Sequence, residues 1–481
     1  MKKSITTNHI TWLYLLISLL FIFTFAGCAN QVTPVDETPS LELRDTPEPS
    51  ATPEEEQAKP TPTETLPEID VDPNDLDGIS IRFVHPWSGA AGEVFQDIAM
   101  KFSLSNPWGI WVDAESQGNE EVLMQEVQSD LEKGDLPGLI AVHPYALSWL
   151  EGDIGMVQLN IYFNHPEFGM GEDVNEDIPA VFLEPFTVDG ELTALPVAPQ
   201  AVVLFYNQTW AEALGFESYP EDEDDFAAQS CAATAESLAD DDLENDYTGG
   251  WLMNFDPAVL FSWYTAFGGE IPEGEMLQFN NAAGRRAFGY LEELYSPAKG
   301  CIWVGRQPEP YQYFSDHYAL MVAGTLDQIP LQIRWLAQFE NEDQWTVIGF
   351  PGPDGEVMMV DSPGLFIMEN TPEEQLASWL FAKHLLTAEV QAQLVQSMFT
   401  LPVRNSAMDY LDDFVLAYPQ WESAYNRLGQ AQYLPVSDTW GYGRWVLQDG
   451  INRLFAIEEA QVGGILEQVD EMIQSLEGTA Q

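Results

Sequence analysis

The sequence has few basic residues. Its 481 residues include 17 Lys and Arg against 78 Asp and Glu, which gives a formal net charge of −61. A surface of this charge repels the phosphates of nucleic acids, so we expect no nucleic-acid partner. The hydrophobic fraction of 45% is that of a globular protein, and the length is enough for two or more domains with buried cores.

The motifs of common enzymes and metal sites are also missing. The chain has no GxSxG, no phosphate-binding loop, no GxGxxG after a strand pattern and no HExxH. Its six histidines are scattered, and none forms a metal-binding pair with another. We therefore expect neither a catalytic residue, nor a metal ion, nor a cofactor.

The N-terminus has the layout of an export signal. Two lysines follow Met1, the apolar run TWLYLLISLLFIFTF comes next, and Ala26-Gly27-Cys28 closes the segment. A cysteine after two small residues resembles the bacterial lipobox, which implies a lipid on Cys28 and cleavage after residue 27. The alternative is an uncleaved membrane anchor. Both interpretations place the rest of the chain outside the cytoplasm and attached to the membrane.

A segment rich in Pro, Thr and Glu follows the signal, from residue 28 to residue 77. It shows neither helical nor strand periodicity and cannot bury enough apolar surface to fold. The segment is typical of a disordered tether that holds a soluble module away from the membrane.

Two cysteines remain, Cys231 and Cys301. An exported protein meets oxidising conditions, which favours a disulfide between them. The alternative is two independent buried thiols, because a single pair is not a disulfide framework.

The remaining chain alternates between strand-like and helix-like segments. Residues 79–84 predict a strand, and apolar side chains within residues 94–102 share one helical face. A second strand over 110–114, a helix capped by Asn119 and a short buried strand over 139–142 follow. This rhythm is typical of a parallel α/β sheet.

Several aromatic residues stand beside turn residues instead of within long apolar runs. A single tryptophan usually fills a core, but an aromatic ring can also contact the apolar face of a sugar while polar neighbours bind its hydroxyls. As a set these residues indicate a carbohydrate site, and they are Trp87, Tyr145, Tyr206, Trp251 and Trp440.

The order of several local patterns resembles the extracellular solute-binding proteins of ABC importers, the class that includes maltose-binding protein. The patterns are HPWSG, LPVAPQAVVLFYNQTW, SWYTAFGGE, WTVIGFPGP, TLPVRNSA and YLPVSDTWGYGRWVL. The resemblance implies a two-lobed, type II periplasmic-binding-protein fold of the α/β class, with hinge strands and a ligand cleft between the lobes. The implied first lobe covers residues 78–196 and 346–410, the second lobe 197–345, and C-terminal helices mainly of the second lobe 411–481.

The resemblance also implies a set of cleft residues. Gln200 stands where sugar-binding relatives often have a carboxylate, and Trp440 where maltose binders stack a tryptophan on a sugar. Trp251 joins the set because it is an aromatic residue beside turn glycines. The predicted ligand-binding residues are Trp87, Ser88, Gln117, His143, Tyr145, Gln200, Trp251, Glu270 and Trp440.

The expected function is capture of a small molecule, a mono- or oligosaccharide, by a membrane-anchored monomer that delivers it to the permease subunits of an ABC importer. A sensor protein in place of the importer is an alternative partner. Two other functions stay open from the sequence: binding of a cationic solute such as a polyamine, and an exported carbohydrate-acting enzyme with two carboxylates across its cleft.

Overall fold

The computed structural model describes residues 69–152, 155–171, 174–271, 276–305, 310–457 and 460–480. The predicted signal and lipid-bearing Cys28 lie outside these residues. The last part of the predicted tether lies inside them, and there the prediction is wrong: Pro73–Leu76 forms a 3-10 turn and Leu76 is fully buried. Among the described helices, none has the length and apolar content needed to cross a membrane.

The first lobe is built on a five-stranded sheet. Ser80–His85 lies between two parallel neighbours, as the alternating pattern predicts. Asn119 caps the helix that follows the second strand, since its side chain accepts a hydrogen bond from the Val122 amide at 2.9 Å. The strands in spatial order are Trp111–Ser116, Ser80–His85, Leu139–Val142, Gly364–Ile367 and Leu195–Pro196.

The second lobe is built on a seven-stranded sheet. Its long central strand is antiparallel to three neighbours. One of these neighbours, Ala319–Thr325, is parallel to Gly249–Leu252, which in turn is parallel to Ile302–Trp303. In spatial order the sheet runs Gln432–Tyr433, Met359–Asp361, Gln200–Asn207, Ala319–Thr325, Gly249–Leu252 and Ile302–Trp303, and Trp345–Ile348 also pairs with Gln200–Asn207.

Two small hairpins and a set of helices complete the lobes. Thr187–Val188 pairs with Glu191–Leu192, and Phe350–Gly352 with Gly355–Val357. The described α-helices are Gly89–Ser105, Glu120–Lys133, Asn160–Phe163, Val174–Asp177, Ala180–Leu183, Gln208–Ala213, Glu223–Ser237, Pro257–Ala266, Ala282–Tyr295, Pro310–Ser315, Ile329–Gln338, Pro372–Leu385, Ala388–Met398, Asp412–Ala417, Pro419–Tyr425, Asp438–Ala456 and Val462–Ala480.

The chain crosses between the sheets at neighbouring points. It leaves the first sheet after Pro196 and enters the second at Gln200, and it returns between Asp361 and Gly364. The expected return at residue 346 is too early, because strands up to Asp361 still pair in the second sheet. The Ser362 hydroxyl joins these two crossings: it accepts a hydrogen bond from the Val197 amide at 3.1 Å and lies 3.0 Å from the Val197 carbonyl oxygen, to which it can donate.

A disulfide lies entirely within the second lobe. It joins Cys231, on the helix Glu223–Ser237, to Cys301, the residue before the strand Ile302–Trp303. The bond therefore ties a helix to the edge of the sheet that it covers, and it does not link the two lobes.

Candidate ligand-binding cleft

Three turns of the first lobe meet at one edge of its sheet. They follow strands that run parallel, so the turns lie together at the carboxyl ends, where open α/β sheets bind ligands. The backbone links two of them directly: the Gln117 amide donates to the His85 carbonyl at 2.9 Å, and the Ser116 hydroxyl donates to the Trp87 carbonyl. The predicted residues that the structure brings to this edge are Trp87, Ser88, Gln117, His143 and Tyr145.

The parallel strands of the second sheet also end at a common edge. A cavity of about 260 Å³ lies there, lined in part by Asn254, Phe255 and Gly305, which follow the strand ends. Asn254 and Phe255 are not among the ligand-binding residues predicted from the sequence. Trp87 was predicted because it lies in a turn directly after a strand. Asn254 and Phe255 also follow a strand, Gly249–Leu252, but the sequence pattern did not indicate that strand.

Gln200 and Asp361 lie beside the crossings, where they are paired across adjacent strands. The Oε1 atom of Gln200 is buried and has no hydrogen-bond partner among the residues that the structure describes. An unpaired acceptor of this kind is available to a ligand hydroxyl, since leaving it unsatisfied costs free energy.

His143 connects the third turn to the hinge. Its Nδ1 atom lies 2.9 Å from Glu120 Oε1 and its Nε2 atom 3.2 Å from Asp361 Oδ2. Burial disfavours the charged imidazolium, but the Asp361 and Glu120 carboxylates outweigh this effect and raise the pKa of His143 well above its usual value. The imidazolium is therefore the expected form at neutral pH, with one carboxylate from the first lobe and one from the hinge.

Tyr145 connects the same turn to the second lobe. Its ring stacks on His143 with centroids 5.2 Å apart, and the Arg444 guanidinium carbon lies 4.1 Å from the Tyr145 ring centroid. Arg444 belongs to the helix Asp438–Ala456, which also donates from Gln448 to the Phe255 carbonyl. This helix therefore contacts turns of both lobes.

Trp87 is only partly exposed, because its ring stacks on Phe95 at 4.3 Å. His85 is fully buried beside these rings, and burial lowers its pKa to about 4, so it stays neutral near pH 7. Ser88 is exposed and precedes the helix Gly89–Ser105, but its side chain makes no capping hydrogen bond. The first turn thus offers a partly exposed ring and an exposed serine whose hydroxyl does not cap the helix.

Three of the expected residues do not expose a side chain at this edge. Trp251 is fully buried beside Phe226 and Trp263, so it belongs to the core of the second lobe and not to the cleft surface. Trp440 is 2% exposed and its ring contacts Phe261. Glu270 lies away from the first-lobe turns, in a different cavity.

That second cavity has a volume of about 710 Å³. It lies beside Gln432–Tyr433, which is the edge strand of the second sheet nearest the crossings. Among the described residues, its lining includes none of the turn residues that follow the carboxyl ends of the parallel strands. Thr187 and Val188 contribute from the first-lobe hairpin, and Phe261 and Glu270 from the second lobe. The two lobes therefore enclose a groove on the far side of the hinge as well as the cleft.

The structure has two α/β lobes that are joined by adjacent crossing strands, and polar or aromatic turns stand at the strand ends. This arrangement is that of a two-lobed binding protein. The model of a family described as bacterial extracellular solute-binding protein matches residues 100–423. The chain belongs to this family, which confirms the class expected from the sequence and a location outside the cytoplasm. A comparison with curated protein sequences finds no match.

Solved structures confirm the type II periplasmic-binding-protein fold. A cyclic α-maltosyl-1,6-maltose binding protein from Arthrobacter globiformis has a TM-score of 0.69 and 16% identity, over 82% of this chain and 98% of its own. The sugar-binding protein MalE from Xanthomonas citri has a TM-score of 0.67 and 17% identity, over 83% and 98%. UgpB from Mycobacterium tuberculosis, solved with glycerophosphocholine, has a TM-score of 0.64 and 16% identity, over 83% and 98%. At these identities the likeness shows the fold alone.

Proposed function

We propose that this protein is a lipid-anchored, extracytoplasmic substrate-binding protein that captures a carbohydrate between its lobes and delivers it to the permease subunits of an ABC importer. The proposal rests on the residues around His143. There, the third turn of the first lobe contacts the crossing strands through His143 and Asp361, and it contacts the helix Asp438–Ala456 through Tyr145 and Arg444. Similar folds include binding proteins for maltose-type sugars.

Capture follows from the hinge. A ligand that contacts both lobes favours the conformation in which they close around it, and closure is a rotation at the crossing strands. Gln200 supplies an unpaired acceptor beside the crossings, and the partly exposed ring of Trp87 supplies apolar contact.

The anchor and the importer rest on the sequence. Cys28 after a basic and apolar leader supports lipid attachment, and the following Pro-, Thr- and Glu-rich segment supports a spacer between lipid and lobes. An importer needs a binding protein near its permease, which such a tether provides.

A cationic ligand fits this edge less well than a neutral one. His143 carries a positive charge there, and Arg444 is a second cation within reach of Tyr145. The two carboxylates beside His143, Glu120 and Asp361, are already paired with it. The strong acidity of the whole chain is therefore a property of its solvated surface and not of this site.

A thermal-shift series tests the proposal on the purified protein. Mono- and oligosaccharides, polyamines, amino acids and glycerol phosphates are added at rising concentration, because a ligand that binds only the folded state raises the midpoint by mass action. We expect a saturable rise with one class of sugar. A rise with polyamines or glycerol phosphates alone would contradict the carbohydrate assignment, and release of nitrophenol from aryl glycosides would show an enzyme instead.

A further inference from the structure

The His143 ring bridges the first lobe and the hinge. Its Nδ1 atom lies 2.9 Å from Oε1 of Glu120, the first residue of a first-lobe helix. Its Nε2 atom lies 3.2 Å from Oδ2 of Asp361, the last residue of the second-sheet strand Met359–Asp361. One imidazole ring therefore contacts two carboxylates, one carried by the first lobe and one by the strand that leads into the hinge.

Backbone amides hold both carboxylates in place. Glu120 Oε1 also accepts a hydrogen bond from the His143 amide at 2.6 Å, and Asp361 Oδ1 accepts one from the Ser362 amide at 2.9 Å. Ser362 is the residue whose hydroxyl joins the two crossings at Val197. A change in the contact between His143 and Asp361 is therefore a change between the first lobe and the hinge itself.

The number of N–H groups on the ring decides whether both contacts can exist together. An imidazolium has two N–H donors, whereas a neutral imidazole has one donor and one acceptor, and an ionised carboxylate only accepts. On a neutral ring, one of the two carboxylates would face a nitrogen lone pair. Both contacts of His143 therefore require its proton, whichever tautomer the neutral ring adopts.

Three further side chains surround this cluster. Tyr145 stacks on the His143 ring, Arg444 lies 4.1 Å from the Tyr145 centroid, and Tyr433 belongs to the strand that pairs with Met359–Asp361. Burial raises the pKa of both tyrosines above the usual value, so they stay neutral where a histidine titrates, and the arginine stays charged. His143 is therefore the side chain of this cluster whose charge changes between neutral and mildly alkaline pH.

We propose that His143 is a proton-dependent latch between the lobes: with its proton it fastens the third turn of the first lobe to the hinge, and without it the cleft opens wider. The proton leaves to solvent. Glu120 keeps the remaining N–H because it is also bonded to the His143 amide, and the Nε2 lone pair then faces Asp361. The inference goes beyond the proposed function, since the latch acts on the protein without ligand.

Small-angle X-ray scattering of the purified protein without added ligand tests the latch. Profiles are recorded from about pH 6 to about pH 9.5, a range in which carboxylates stay ionised and the net charge of −61 hardly changes. We expect the radius of gyration to increase with pH while the circular dichroism spectrum stays constant. The midpoint of the increase should coincide with that of the His143 ring nitrogens followed by NMR and assigned by their loss in His143→Gln.

Asp361→Asn and Glu120→Gln distinguish a latch from simple packing. A side-chain amide both donates and accepts, so it can bond to a ring nitrogen in either protonation state, and the remaining carboxylate takes the single N–H of the neutral ring. Each variant should therefore keep one radius of gyration across the whole pH range. If the imidazole acted only by filling space, neither variant would alter the pH response.

His317→Gln is the matched control. His317 is also paired with an aspartate, Asp343, and its ring also stacks on an aromatic ring, that of Trp210, but all three residues lie in the second lobe. This variant should show the same increase in the radius of gyration as the parent protein.

Several outcomes would overturn the latch. They are a radius of gyration that stays constant in the parent protein, an increase that Asp361→Asn or Glu120→Gln retains, and an increase that His317→Gln removes. The result is independent of the ligand assignment, because no sugar is present: failure of every sugar in the thermal-shift series would overturn the proposed function and leave the latch standing.

Discussion

Tryptophans that stand beside turn residues in the sequence lie in different places in the two lobes. In the second lobe, Trp251 and Trp263 are fully buried against each other and against Phe226. In the first lobe, Trp87 and Trp149 lie on turns at the carboxyl ends of the strands and stay partly exposed. A tryptophan beside turn residues in the sequence therefore stays partly exposed at a strand end in one lobe and lies in the core of the other.

The glycines before Trp251 explain why the sequence was misleading. Gly249 and Gly250 suggest a turn, but both are strand residues. Cβ atoms there would overlap the Ala233 backbone and the Cys301 carbonyl, so glycine is required because the strand packs closely on the helix Glu223–Ser237 and on the disulfide segment. Close packing and a tight turn select the same residue, and only the structure distinguishes them.

The largest expected effect is on the second-lobe core. Trp263→Ala should lower the free energy of unfolding by about 3–5 kcal/mol, because it leaves a large cavity beside Phe226 and Trp251. Denaturant titration followed by circular dichroism measures it. Trp111→Ala, a change of the same size at an exposed site, should cost less than about 0.5 kcal/mol. Equal costs would contradict the contrast between core and surface tryptophans.

Removal of the disulfide should have the next largest effect on stability. Replacing both Cys231 and Cys301 by Ala should cost about 2–4 kcal/mol, because the bond closes a segment with a sequence separation of 70 residues and restricts the unfolded chain. Thermal melting of the oxidised, reduced and doubly substituted forms measures this cost. Sugar affinity should not change, because the bond lies inside one lobe; a loss of affinity on reduction would show that the second lobe deforms as well as rotates.

The His143 network should have a smaller effect that depends on pH. Its raised pKa means that its stabilisation is present below about pH 6.5, the ordinary value for histidine, and is lost as the pH increases through the raised value. His143→Gln should therefore cost about 1–3 kcal/mol near pH 6 and progressively less at alkaline pH.

Denaturant titrations of both proteins across this pH range measure the difference in the free energy of unfolding. A difference that stays constant would mean that the imidazole acts through packing on Tyr145 and not through its charge. The buried neutral His85 is unchanged in both proteins, so its titration near pH 4 cancels.

The smallest effect concerns two helix caps of the first lobe. Ser88→Ala should change the free energy of unfolding by only a few tenths of a kcal/mol, because the Ser88 side chain makes no capping bond, whereas Asn119→Ala should cost about 1 kcal/mol. Thermal melts compare the two variants.

Ser88→Ala also tests whether the exposed Ser88 hydroxyl contributes to the cleft. If it does, sugar affinity should decrease while stability is unchanged; unchanged affinity would remove Ser88 from the site.

The sequence predicted the first lobe better than the second. Alternating segments and the Asn119 cap indicate local structure, and parallel strands then bring residues after their ends together, so Trp87, Gln117 and His143 could be placed. Pairing at long range leaves no such local signal: nothing near residue 346 shows that Trp345–Ile348 pairs with Gln200–Asn207. Arg444 was missed because its contact with Tyr145 joins distant segments.

The hydrogen bonds between Ser362 and Val197 have a mechanical consequence. Separate flexible links would let the lobes slide as well as rotate, and these hydrogen bonds restrict how far the two crossings can move independently of each other. When the lobes rotate about the crossings, the distance between two points far from the crossings, one on each lobe, changes with the degree of closure. A pair of fluorophores placed on the outer helices Gly89–Ser105 and Ala282–Tyr295 would then report occupancy directly, without contact with the ligand.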